Sequence, residues 1–565
     1  MPKTDPLPLP AEEAYKKIQE GRYLEGLALL APMDSGNSLQ ADSRIETLRG
    51  QALESLGRLS EAEAAYWKAL STEKGGSSKP YLMLGLLKDR MEDREKGIWV
   101  LEEGLKLYPN DVDLLREAGI LYGLTGQWHR ALPYILEAYR RNPENPENIM
   151  AFGPVVDRLE LVELYGEMHR AFTRLLEKNP GNPDIQDWYG RALERIEKSG
   201  QALKFFQKLL RKSPRDTRLL SHVARLSRNT NQTARALDTY RLLSEETGET
   251  VDILLAMAET QKMAGKPLSA LSLIRQVLAI EPDNTEARLL LGLALIDQGD
   301  FEKAEGALQD IDVAAAHYQL GELFLRKKHF IRAAGAFARG FALRPDPYYA
   351  ANLLKLLLEE NEDLLFLETL ATLRILFPRT KVSVFLLKSA KEHFSPLMTN
   401  SSIPINNPDR LALAGLAEAF LPGGNRKRAY QLLEQAVTVD PMSEILFWTL
   451  AMFDEDAERW DSAVNWYKKV KRFSREPVTL LHRIAENQHN ADSWMDPWPL
   501  LKEFSDIYGP RPGFFRVLFA VLARSGGEVP REILERGMKA FPEDPSFFTL
   551  YRSLEPERWT KLLQL

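Results

Sequence analysis

The sequence predicts an all-α solenoid of about fifteen helix-turn-helix repeats, on three observations: prolines at a 34-residue interval, pairs of small residues in the same phase, and apolar patterning without strand-like alternation. Pro109 and Pro143 are 34 apart, as are Pro180 and Pro214, and Pro282 lies two periods beyond Pro214. Gly85, Gly119, Gly190, Ala224, Ala258, Gly292 and Gly321 each stand twelve residues before a second small residue, at Gly97, Ala131, Ala202, Ala236, Ala270, Ala304 and Ala333. A small residue midway along one helix and another early in the next let two backbones approach, while the proline ends the second helix.

In chain order, the first unit uses Ala14, Gly21 and Gly26, and the second Gly50, Gly57, Ala62, Tyr66 and Ala69. In the fourth, Leu114, Leu115, Ala118, Gly119 and Tyr122 lead to Gly126 and Trp128, then Ala131, Ile135, Ala138 and Pro143. This order of large, small and aromatic positions resembles the tetratricopeptide repeat, and the resemblance runs through residues 43–345. It implies a right-handed superhelix of TPR-like hairpins whose first helices line a concave, protein-binding face. About three extra residues interrupt the phase around Arg158–Val162, and the unit around Gly292 is about five short because Gly321 arrives early. Between Tyr348 and Pro378 the pattern is degenerate, with Lys355 in the small place.

The expected organisation is an N-terminal array over 1–390, irregular near 146–182, 285–313 and 348–380, and an elbow at 391–407. Ser395-Pro396, Pro404 and Asn406-Asn407-Pro408 concentrate turn formers there. A C-terminal TPR-like array follows over 408–565, marked by Gly415, Ala429, Ala436 and Pro441, then Ala451, Ala463 and Tyr467. Weaker units cover 478–510 and 511–544, and the tail from Pro545 reads as a capping helical segment carrying Trp559.

Composition narrows the function. With no cysteine, disulfides, thiolate metal sites and cysteine nucleophiles are excluded. A net charge of −6 over 565 residues, with both signs interspersed, does not indicate a nucleic-acid partner. No apolar run suits a membrane span, the stretch from Phe515 to Ala523 being broken by Arg516, and the N-terminus lacks a signal-like core, so a cytoplasmic location is expected. No phosphate-binding loop, dinucleotide fingerprint or His-Glu-x2-His motif occurs. His482, Glu486 and His489 share a helix face at metal-compatible spacing, yet without a further ligand they read as solvated groove residues. No catalytic residue, metal or cofactor is therefore expected.

Carried over from the repeat family, the inward-facing places give two surfaces. One is basic, with Arg191 beside Arg195, then Arg218, Arg225 and Arg228, and Lys262, although Asp184, Asp187, Glu194 and Glu259 lie among them. The other is apolar, with Ala412, Leu416 and Ala419, then Trp448 and Met452, then Phe515 and Phe519. Aromatic anchors dominate protein interfaces, so the apolar strip ranks first, the alternative being that neighbouring segments bury it. The carboxylate clamp of chaperone co-factors is not matched: Thr47 and Gln51, Leu82 and Leu86, and Arg116 and Ile120 stand at its places. The expected function is a non-catalytic scaffold that binds protein or peptide partners in complex assembly. A regulatory sensor of a peptide or small ligand is the alternative.

Overall fold

The structure, a computed structural model, describes residues 9–31, 43–72, 77–399, 403, 407–439, 441, 443–491, 496–525 and 529–564. Among these, the elements are α-helices with two short 3-10 turns, and no strand occurs. Among the described residues the helices fall, by their order along the chain, into fifteen twos, eleven before Val384–Thr399 and four after it, from Leu9–Gln19 with Tyr23–Leu30 to Pro512–Leu522 with Val529–Ala540. Val384–Thr399 stands alone, and Ser546–Arg552 and Pro556–Leu563 follow the last pair.

The glycines of the repeat explain themselves in the packing. A Cβ on Gly50 would lie 2.4 Å from the ring of Tyr66, and one on Gly119 2.6 Å from Ile135. Gly292 faces Leu308 at 2.4 Å and Gly321 faces Phe337 at 2.5 Å. In each case the large partner is sixteen residues on, and that offset is the hairpin. In the pair Pro146–Arg158 and Tyr165–Lys178, Gly153 instead meets Phe172, nineteen residues on. The 3-10 turn Val162–Leu164 takes up the three extra residues. The shortened unit is equally plain, because its second helix, Phe301–Leu308, is only 8 residues long.

Two further marks keep the same phase. The first helix of many pairs is capped by an Asx side chain two residues after the proline position. Asp111, Asn145, Asn182, Asp216 and Asn284 each accept from backbone N–H groups of the first turn. Many connections between successive helices turn on a residue in left-handed conformation, including Glu92, Gly126, Glu160, Glu197, Asn231, Gly265 and Gly299. Such a corner reverses the chain within two residues, and the non-glycine cases carry backbone strain.

The chain divides into two compact units. One comprises residues 1–198 together with 531–565. Within it the tail lies against earlier helices of the same unit. Tyr551 packs on His129 with ring centroids 5.5 Å apart, and Pro542 meets Gly126. Arg552 pairs with Glu163 at 2.5 Å, Arg158 pairs with Glu543, and Arg140 donates to the Gln564 carbonyl at 3.0 Å. Trp559 is buried against Phe548 and Tyr551.

The second unit comprises residues 199–530. The expected elbow falls inside it: Lys391 to Thr399 complete the unpaired helix Val384–Thr399, while 400–402 and 404–406 lie outside the described residues. The degenerate stretch 348–380 still forms the pair Pro347–Glu359 and Asp363–Leu376, with Lys355 turned to solvent and taking no part in a close approach. Helix Asp363–Leu376 packs against Pro408–Phe420 and also against Glu444–Asp456. Sequential hairpin stacking is thus interrupted where the lone helix enters.

Candidate partner-binding site

Helix Glu444–Asp456 of the second unit is anchored to its neighbours through acidic residues. Glu444, in the favourable first turn, accepts from the Trp448 indole N–H at 3.2 Å, the Ser474 hydroxyl at 2.5 Å and the Arg475 backbone N–H at 3.2 Å. Asp454 is wholly buried and accepts from Arg459 Nε at 2.8 Å, Trp466 Nε1 at 2.9 Å, the Ser462 hydroxyl at 2.5 Å and the Tyr430 hydroxyl at 3.3 Å. Glu455 takes Tyr467 at 3.0 Å and Asn487 at 2.6 Å. Three repeats are pinned to one helix, so the orientation of Trp448 is fixed.

The expected apolar strip is not an open surface. Trp448, Phe515 and Phe519 are only 3, 8 and 6% exposed, and Leu416 and Ala412 are also buried. Met452 is half-buried. The correction has a clear cause. Helix Pro512–Leu522 buries Phe514, Phe515, Leu518, Phe519, Val521 and Leu522, which share one broad face, so Phe515 and Phe519 belong to the interior and not to an open groove. Trp448 differs from the others, because one side of its ring reaches a cavity.

That cavity has a volume of about 420 Å³ and opens between the end of helix Phe330–Leu343, helix Asp363–Leu376, the start of Glu444–Asp456 and the turn 473–476. Phe341, Leu365, Ile375, Leu376, Ile445, Trp448 and Phe473 supply apolar walls, and Glu368, Glu444, Glu476 and Arg475 the charges. Burial pushes the Glu476 carboxyl above its ordinary range, the neighbouring Glu444 charge adds to this, and Arg511 opposes it. None of Glu368, Thr372 or Glu476 was singled out by spacing, since they meet Trp448 only through contacts between distant segments.

The basic residues serve as cross-links between repeats. In the first unit, Arg191 pairs with Asp157 at 3.2 Å and lies over the Trp188 ring, while Arg195 bonds the same carboxylate at 2.6 Å. In the second, Arg228 pairs with Glu259 of the next repeat at 2.6 Å, and Arg225 and Arg228 both sit near the Tyr240 phenol. His482 lies 3.9 Å from Glu486, which also pairs with Arg524. No group of three His, Asp or Glu residues that could hold a metal is found among the described residues. Nor, among them, is any helix long and apolar enough to cross a membrane.

Stacked helical hairpins with a small-to-large contact at each crossing define a helical-repeat protein. Residues 169–217 and 263–316 each match a model of the tetratricopeptide repeat, so the chain carries tetratricopeptide repeats over these stretches. No curated protein matches it. Among solved structures it is similar to a tetratricopeptide repeat protein from Parabacteroides merdae, at 17% identity over 45% of this chain and 98% of that one, with a TM-score of 0.33. It is also similar to PilF of Pseudomonas aeruginosa, at 18% identity over 37% and 95%, TM-score 0.31. A third is PilW, described as a type IV pilus biogenesis factor, at 19% identity over 38% and 98%, TM-score 0.33.

Proposed function

We propose that the chain is a non-catalytic scaffold that holds a protein partner during assembly of a larger complex, and that the partner engages the second unit beside Trp448. The observation that carries this is the cavity of about 420 Å³, walled by aromatic and aliphatic side chains and placed at the start of a helix that the partly buried Glu444 and the buried Asp454 hold in place. Its size is within the roughly 300–1,000 Å³ of pockets that take ligands, and a rigid frame lowers the ordering cost of binding. The basic residues Arg191, Arg225 and Arg228 take a secondary part, mainly in encounter, because Arg191 and Arg228 already pair within the array. The cavity also admits a small ligand, which keeps the sensor reading as the alternative.

The test is capture of the main partner from native cells by the tagged full chain and by Ala342→Trp, which fills the cavity, with helicity and unfolding temperature as fold controls. Loss of the partner by a folded Ala342→Trp supports the proposal. A partner kept by Ala342→Trp but lost by Arg225→Glu with Arg228→Glu belongs on the basic face instead.

A further inference from the structure

We infer that a second cavity, at the start of the lone helix Val384–Thr399, takes a single-chain aliphatic carboxylate, with its chain between leucines and its head at Lys381. This cavity shares no lining residue with the one beside Trp448, and the inference does not depend on a partner held there.

The cavity exists because a hairpin is incomplete. Pro347, Ala351, Leu354 and Leu358 recur every three or four residues and so share one face of helix Pro347–Glu359. In a regular array the next hairpin covers such a face. Here the next element is the lone helix, which buries only Ala390 and Phe394 and packs on Pro408–Phe420. A volume of about 350 Å³ remains between that face, Leu373, residues 380–383 and the first turns of the lone helix, within the roughly 300–1,000 Å³ of pockets that take small ligands. Its wall is aliphatic: Leu354 and Leu373 are buried, and Leu358 and Leu386 half-buried. An alkyl chain needs no hydrogen-bond partner there, whereas a peptide backbone entering would leave its amides unmatched. At the rim Phe385 is 80% exposed, an apolar surface that a bound chain would cover.

Charge selects the head group. Lys355, Glu359 and Lys381 line the cavity, and Lys355 and Glu359 answer each other at 3.8 Å. Among the described residues the exposed Lys381 side chain has no ion-pair or hydrogen-bond partner. The stretch 377–391 around it carries Arg379, Lys381, Lys388 and Lys391 and no acidic residue. An anionic head therefore finds a counter-charge where an ammonium head is repelled. A second copy of the chain would oppose the same cations to themselves.

The test is isothermal titration calorimetry of the full chain with hexanoate, octanoate and decanoate, and with 1-octanol and octylammonium. Affinity is expected to rise about four-fold for each methylene buried, and octanoate to bind about ten-fold more tightly than octylammonium. Lys381→Gln should weaken octanoate about three- to five-fold and leave octanol unchanged. Ala351→Trp, from the exposed edge of the wall, fills the cavity and should abolish binding of every ligand with the unfolding temperature kept. Should that variant unfold, Ser389→Trp fills the cavity from the opposite wall. The inference is overturned if nothing binds, if affinity is independent of chain length, if octylammonium matches octanoate, or if Lys381→Gln leaves octanoate unchanged. Octanoate lost in Ala342→Trp but kept in Ala351→Trp would seat the ligand beside Trp448 and overturn it as well. Two probes represent other occupants: phosphatidylglycerol vesicles and the peptide acetyl-Gly-Leu-Asp-Leu-Gly-amide. Sedimentation with the vesicles that Phe385→Ser abolishes and octanoate does not displace would assign the rim to a membrane surface. Peptide binding tighter than octanoate and lost in Ala351→Trp would assign the cavity to a polypeptide, and either result overturns the inference.

Discussion

Substituting Gly321 by alanine tests whether the small-to-large contact is the element that sets hairpin spacing. A Cβ there would lie 2.5, 2.6 and 2.8 Å from three ring carbons of Phe337, against an ordinary carbon contact of about 3.5–4.0 Å. The ring is wholly buried and has the Tyr349 ring stacked 5.9 Å away, so it has little room to retreat. Overpacking of this kind costs about 1–3 kcal/mol, and the upper end applies to a confined ring. Alanine returns about 1 kcal/mol through helix propensity, leaving a net loss of about 2 kcal/mol. Gly335, on the same helix as Phe337, is the internal control, because a Cβ there meets nothing within 4 Å. Gly335→Ala should stabilise by about 0.5–1 kcal/mol. Repeat arrays open locally, so the assay is hydrogen exchange of amides in 314–343. Gly321→Ala should speed exchange about 30-fold, Gly335→Ala should slow it, and Phe337→Leu should restore part of the loss in Gly321→Ala. Exchange in Gly321→Ala as slow as in the unsubstituted chain would refute the reasoning.

Three other outcomes follow from particular residues. Burial, reinforced by Arg130, lowers His129 from 6.5 to about 4, so the unfolded chain takes up this proton first and stability falls as pH drops from about 6.5 to 4. The loss amounts to about 3 kcal/mol, should loosen the tail that packs Tyr551 on His129, and should disappear in acid titrations of His129→Leu. Asp454→Ala removes the buried acceptor that Arg459, Trp466 and Ser462 share and should cost about 2–3 kcal/mol in chemical denaturation; a smaller change than Glu444→Gln would show that the network is not what holds the helix. Limited proteolysis is expected to cut first within 391–407, where the turn formers cluster, and first cleavage inside 183–345 would move the proposed boundary.

The repeat was legible from the chain alone because its defining contacts are local. Gly119 and Ile135, or Gly321 and Phe337, lie sixteen residues apart, so the packing geometry imprints a period that survives in one sequence. The three-residue insertion near Arg158–Val162 and the shortening after Gly292 were readable for the same reason: each shifts the phase of a local contact. The caps at Asp111, Asn145, Asn182 and Asp216 carried that signal too, two residues after each proline, and would have sharpened the boundaries. Groove positions were less secure, because the same places are inward-facing whether or not another helix covers them. Phe515 and Phe519 are covered, and the density of large apolar residues in Pro512–Leu522, where Arg516 alone is charged, was the available warning. Only the tertiary structure decided that Glu368 and Ile375 meet Trp448 and Glu476 around one cavity, or that Tyr551 returns to His129. Those contacts join segments tens to hundreds of residues apart, and no periodicity constrains two stretches to touch when the phase between them is broken by a lone helix or carried through a long array.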